Sequence, residues 1–245
     1  MFNFGAGNLY GLVNSGGVMV PRKFGTVQNV SLDFSFDQKE LYGQNQFPVD
    51  IARGKGKISG KAAFANLSGG LLNDILFGQT LSTGQTFAAL GEAGAIPATT
   101  TYTVSVANAA TFADDMGVVY ASTGLPFTRV ATGPTVGQYS VAAGVYTFAA
   151  ADAGLNVLID YSYTTPAVGS TITLTNQLMG STPSFQLVFP FKYSGKQMFM
   201  KFYKAFSSKI SMATKQDDFT IPDFDYSICA DPSTGNIGII SLSDK

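Results

Sequence analysis

Val30, Leu32, Phe34 and Phe36 alternate with Ser31, Asp33, Ser35 and Asp37. This is the two-residue period of a strand with one buried and one wet face. Gly43 to Pro48 interrupts the pattern, which resumes near Val49. The element predicted is a long hairpin, strand 27–41 returning through 49–65, with Gly-Gln-Asn-Gln-Phe-Pro at its tip. On the returning strand Arg53, Lys55, Lys57 and Lys61 take odd positions, and Gly54, Gly56, Ile58, Gly60 and Ala62 take even ones. One face is therefore basic and the other nearly free of side chains. Such a strand buries little alone. It predicts an arm stabilised by lying against other protein, its Gly face permitting close backbone approach.

The last sixty residues show the same period. Phe185, Leu187, Phe189, Phe191 and Tyr193 share one face, with Gln186, Val188, Pro190 and Lys192 on the other. Pro190 predicts an edge or a bulge, because it has no N–H to give a ladder. Ser194-Gly195 predicts a turn into a strand where Met198, Met200 and Phe202 oppose Phe199 and Tyr203. Both faces of that strand are apolar, so a helix, the middle of the chain or another subunit must cover the second. Phe219–Pro222 and Phe224–Ile228 predict a further strand region, Asp231–Asn236 a turn and Ile237–Ser243 a final strand.

One helix is predicted. Ser68 is its N-cap, Leu71, Leu72, Ile75 and Leu76 form its apolar stripe, and Gly78 ends it. The first twenty residues read as an extended, poorly self-supporting lead-in, and 79–100 as loop. From Tyr102 to Thr175 the chain turns rich in Ala, Thr, Val and Gly. Short strands are predicted at Val118–Tyr120, Thr128–Val130, Gln138–Val141, Val145–Phe148, Val157–Tyr163 and Ile172–Asn176. The organisation expected is a discontinuous β domain, 1–100 and 176–245, with a β-rich insertion at 101–175. A continuous sandwich with long connections is the alternative.

Only 13% of the 245 residues are charged, while Phe and Tyr number 20 and 11. Few charges among many aromatics predict a surface largely covered by other subunits. Residues 1–61 carry seven basic and four acidic groups, 62–185 one basic and six acidic, and 186–245 seven and six. No segment has the positive density of a phosphate-backbone binder. No run is long and apolar enough for a membrane span, and the N-terminus has no signal-peptide pattern. The single Cys229 reads as a small core filler, which suits folding in a reducing cytosol.

The chain has no His, which removes Ser-His-Asp and Cys-His catalysis and imidazole metal ligation. Gly54-Lys-Gly56 lies in strand alternation with no helix directly behind it, so it is not a phosphate loop. Asp217, Asp218, Asp223 and Asp225 fit no EF-hand spacing and read as a solvated face. Asp114, Asp115 and Asp152 read as turn acids. Tyr120, Tyr139 and Tyr146 are the exposed-aromatic candidates for a carbohydrate-binding surface. No catalytic, cofactor or metal residue is assigned, and no enzyme is predicted.

Several phrases resemble the tail tube, or major tail, proteins of tailed bacteriophages. They are Leu41-Tyr-Gly-Gln-Asn-Gln-Phe-Pro48 running into Arg53-Gly-Lys-Gly-Lys57 and Gly60-Lys-Ala, Phe189–Gln197, Lys209–Met212, Thr214–Phe224, and the turn Ala230–Gly238. They cover roughly the first 80 and last 60 residues. Gly144–Phe148 to Asp160–Tyr163 is similar to segments of such tail proteins. The resemblance implies a β-sandwich or half-barrel with one flanking helix, assembled into stacked, hexameric rings. DNA passes through their lumen at ejection without specific binding. It implies an inter-subunit arm with Tyr42, Gln44, Gln46, Phe47, Arg53, Lys55, Lys57 and Lys61, and lumen-facing Asp33 and Asp37. The basic face is expected to turn away from the DNA. Implied partners are the chain itself, a tape measure protein, terminator and baseplate or tail-tip proteins and, in a contractile tail, a sheath. The implied location is the virion, after assembly in the host cytoplasm. A head–tail adaptor or terminator ring, and a carbohydrate-binding virion module, are the alternatives.

Overall fold

The structure is a computed structural model and describes residues 7–66, 68–214 and 216–243. The fold is mainly β, with several sheets and one short flanking helix. The chain divides into two compact units: a sheet unit, 1–81 with 172–245, and a middle unit, 82–171.

The sheet unit is built on eight strands: β1 (Tyr10–Ser15), β2 (Val18–Lys23), β3 (Val27–Tyr42), β4 (Pro48–Phe64), β12 (Ser184–Tyr193), β13 (Lys196–Ser211), β14 (Asp223–Ile228) and β15 (Gly238–Leu242). Their order is β2-β1-β12-β13-β14-β4-β3, with β15 also on β13. Among the described residues the sheet does not close on itself. β2 and β3 end the path, each with one unpaired edge. The strands β3 and β4 form the predicted hairpin, with Phe34 opposite Ile58 and Leu32 opposite Gly60.

Residues 1–6 of the expected lead-in lie outside the described residues, and from Tyr10 on the segment is not loose. β1 and β2 pair across Gly16 and Gly17, both at positive φ as a tight hairpin turn requires. β1 then pairs with β12, and the flanking Leu9 and Phe24 are wholly buried. The support comes from a strand some 170 residues later, which local pattern cannot reveal. Nor is β12 an edge strand. Pro190 instead lies past the last β1 pair, Tyr10 with Val188, and its carbonyl accepts from the Asn8 N–H at 3.3 Å. Its missing N–H points to that same side, where β1 has already ended. Ser194 and Gly195, at φ 49° and 77°, make the predicted turn into β13. β14 is shorter than the predicted region, because Phe219–Pro222 lies outside any strand.

The helix α1 (Gly69–Leu72) continues as a π-helical turn, Asn73–Phe77. Ser68 caps it by accepting from the Leu71 N–H at 3.2 Å, and Gly78 ends it at φ 60°. The buried Asn73 amide holds Gln79 by two hydrogen bonds, of 2.7 and 2.9 Å. Leu71 and Ile75 pack into one core with Phe24, Phe64, Phe185, Leu187, Phe202 and Phe224. The helix thus packs its apolar stripe onto one face of the sheet, and on the strand β13 Phe199 stays exposed.

The middle unit contains β5 (Leu81–Ala95), β6 (Thr103–Ser105), β7 (Phe112–Tyr120), β8 (Thr128–Arg129), β9 (Gln138–Ala142), β10 (Val145–Phe148) and β11 (Asn156–Ile172). They form two sheets, β6-β10-β9-β8 and β5-β11-β7, around one core that includes Val118, Tyr146, Val157, Ile159 and Tyr161. The expected loop 79–100 is mostly strand β5. Its inward positions are Gly84, Ala89, Glu92 and Gly94, and a Cβ on Gly94 would press on Val104 and Val157, so no apolar alternation shows. Ile172 closes β11, and no separate strand runs on to Asn176.

Candidate assembly surface

β14 pairs with β4 only from Ile58 to Ala63. Beyond Ile58 the hairpin continues with both outer edges unpaired. The eight steps from Phe34 to Tyr42 extend about 26 Å at the strand rise. From Asp33 to Lys57 every residue except Pro48 is exposed. Leu41, Phe47 and Val49 are 63, 80 and 72% exposed. Backbone pairing makes the arm; Phe34 at its root meets the Phe202 ring at 6.4 Å, and beyond it the side chains face solvent.

The arm's charges are not divided as the alternation predicts. The register steps from Phe36–Gly56 to Gln38–Arg53, so Gly54 and Lys55 together stand opposite Asp37. This bulge reverses the side on which later β4 residues emerge. The Arg53 guanidinium accordingly lies over the Phe36 ring, 4.8 Å from its centroid, and leaves the basic face. On the other side of the hairpin, Lys57 is opposite Ser35, Ser59 opposite Asp33 and Lys61 opposite Ser31. Asp33 thus shares a face with Lys57 and Lys61, and the expected separation of acidic and basic faces is absent. Lys61 also approaches Asp225 of β14 at 3.8 Å.

At the tip, the Tyr42 hydroxyl donates to the Glu40 carboxylate. That bond, with a smaller contribution from burial, raises the Tyr42 pKa. Gln44, Gln46 and Phe47 lie in the connecting loop and face solvent. At the arm's root, a Cβ on Gly60 would collide with the Ser31 carbonyl and the Tyr226 hydroxyl. The Tyr226 hydroxyl donates to the Ser31 carbonyl at 2.8 Å, and burial is the main cause that raises its pKa. Apolar side chains are also exposed on β13 and β15, at Phe199, Ile239, Ile240 and Leu242.

The middle unit departs from the sequence reading most. Tyr139 and Tyr146 are buried, at 2 and 0% exposure, and offer no stacking surface. Asp115, expected in a turn, accepts from both hydroxyls at 2.7 and 2.9 Å, and Arg129 approaches it at 3.4 Å. Burial first, then the bonds to Asp115, push both tyrosine pKa values well above 10. Asp152 is also buried and accepts from the Gly137 N–H at 2.9 Å. Glu92 accepts from the Tyr161 hydroxyl at 2.6 Å and the Ala107 N–H at 2.7 Å. A low-charge sequence has placed several of its acids inside, where tyrosine hydroxyls and backbone N–H groups satisfy them. Cys229 is exposed and does not fill the core, because alternation after the buried Ile228 turns it outward.

Among the described residues no three acidic or cysteine side chains gather closely enough to hold a metal ion. No helix among them is long and apolar enough to cross a membrane. The chain matches no known protein-family profile and no curated protein.

Proposed function

We propose that this chain is the self-assembling subunit of a phage-type tail tube, forming stacked, hexameric rings through which DNA passes at ejection. One observation carries the reading: the β3–β4 arm extends beyond its own sheet, fully paired within itself but with its apolar side chains in water. A two-stranded ribbon is marginal in isolation, and exposed apolar patches on otherwise well-packed proteins mark interaction sites. The resemblance of phrases within residues 41–62 and 189–238 to tail tube proteins points the same way. The unpaired edges of β2 and β3 suit a ring in which neighbours pair edge to edge, removing the hazard of an open sheet. The finer fold proposed is a tail-tube-type half-barrel whose closure comes from neighbouring copies.

The channel wall is proposed to include Asp33 and Asp37. Lys57 and Lys61 share that face, so the wall has mixed charge and little net hold on phosphates. The partners proposed are further copies, a tape measure protein and end-capping tail proteins. Negative-stain microscopy of the purified chain tests the reading. Long hollow tubes are expected. Isolated rings would indicate an adaptor, and monomers at high concentration would contradict assembly.

A further inference from the structure

We propose that a cavity of about 600 Å³ in the sheet unit is the receptor for the arm tip of a second copy. The proposal rests on the tube reading and names the contact that would join one ring to the next.

The cavity lies between the β1–β2 hairpin and the C-terminal end of the helix. Its lining is more polar than apolar: Asn14, Ser15, Asn73, Gln79 and Ser184 surround a small apolar patch of Val13, Val20 and Pro183. The Arg22–Asp74 ion pair, at 2.6 Å, stiffens one wall. Its size falls within the range of pockets that enclose small molecules, roughly 300–1,000 Å³. The arm tip offers a matching object. Phe47 is the most exposed large apolar residue of the arm, and Gln44 and Gln46 flank it with amides. An aromatic ring on the Val13–Val20–Pro183 patch, with the glutamine amides meeting the polar rim, has the anatomy of a buried anchor with hydrogen bonds around it.

The strand registers place tip and cavity at opposite ends of the sheet. Val13 is opposite Phe185, and Tyr10 opposite Val188, so Asn14 and Ser15 lie towards the start of β12. Ile58 pairs with Ile228 and Ile228 with Ala205. Running from Ile58 to Pro48 therefore follows β13 from Ala205 towards Lys196, the far end of β12. An arm cannot reach the cavity of its own copy. A second copy displaced along the strand direction presents its cavity to the tip, and its own tip to a third. Such a contact is heterologous and propagates indefinitely, as a growing tube needs.

Proximity and occupancy can be tested separately. In a Cys229→Ser background, Gln46→Cys, which keeps the Phe47 anchor, and Ser15→Cys are combined and treated with a short thiol-to-thiol cross-linker. A ladder of multimers is expected from the double variant, and only monomers and dimers from each single one. Gln79→Trp, which fills the cavity, should raise the concentration needed for assembly at least tenfold while the circular-dichroism melt stays near wild type. Tubes that form without a ladder and tolerate Gln79→Trp would overturn this contact and leave the tube reading standing. A wild-type chain that forms no tubes would overturn both.

Discussion

In the middle unit, the polar groups that enter the core bring their partners with them: Asp115 meets Tyr139 and Tyr146, and Glu92 meets Tyr161. The sheet unit does the opposite at its margin. Its core is largely aromatic, but Phe36, Leu41, Phe47, Val49 and Ile51 stay exposed along a ribbon that extends beyond it. The middle unit satisfies its inward polar groups within itself and leaves apolar side chains such as Leu90, Leu125 and Val136 exposed at scattered positions. The other has surface that only additional protein can cover. The difference teaches where to look for function: in the part whose side chains lack neighbours, rather than in the part with the richest buried chemistry.

Asp115→Ala is expected to break this contrast most strongly. It strands two buried hydroxyls, each costing about 1–3 kcal/mol, so the middle unit should lose about 4 kcal/mol. Calorimetry should resolve an early transition while tube formation persists, and loss of assembly would mean the units are coupled. Gly60→Val comes next. Its side chain meets the Ser31 carbonyl and Tyr226 at the root of the arm, and overpacking there should cost about 3 kcal/mol. Here the sheet unit should melt early and the middle unit should not.

Tyr226→Phe deletes a single hydrogen bond, to Ser31, and should cost about 1 kcal/mol in urea unfolding. Alkaline pH should weaken both units together. The folded pKa values of Tyr139, Tyr146 and Tyr226 are raised by burial, so the neutral forms are favoured in the fold. That stability is complete below the ordinary tyrosine value near 10 and is lost as pH rises above it. Phenolate absorbance should therefore rise in step with unfolding. If these three tyrosines ionise freely while the fold persists, their burial is not as described.

Much of the fold was legible because its logic is local. The β3–β4 hairpin, the Ser194-Gly195 turn, the capped helix at Ser68 and Gly78, and most short strands of the middle unit follow from alternation, capping and turn chemistry. The β1–β2 hairpin did not show, because its partner β12 is remote in sequence. Strand β5 did not show, because two glycines, an alanine and a glutamate take its inward positions. The site was legible as an arm but not in its charge pattern. A single bulge at Gly54-Lys55 moves Arg53 across the ribbon, and strict two-residue counting cannot register it. The buried acids were invisible for a related reason: Asp115 looks like a turn residue until Tyr139 and Tyr146 arrive from another sheet.

The central claim is that the arm joins copies. Ile58 pairs with β14 and packs on the core, so a clean truncation must stop short of it. Replacing residues 37–55 by Asn-Gly keeps the Phe36–Gly56 pair and closes it with a two-residue turn. Analytical ultracentrifugation of this variant beside the wild type gives the most direct test. The account predicts wild-type polymers and a folded, monodisperse monomer without the arm. Polymers of equal length from both proteins would contradict it.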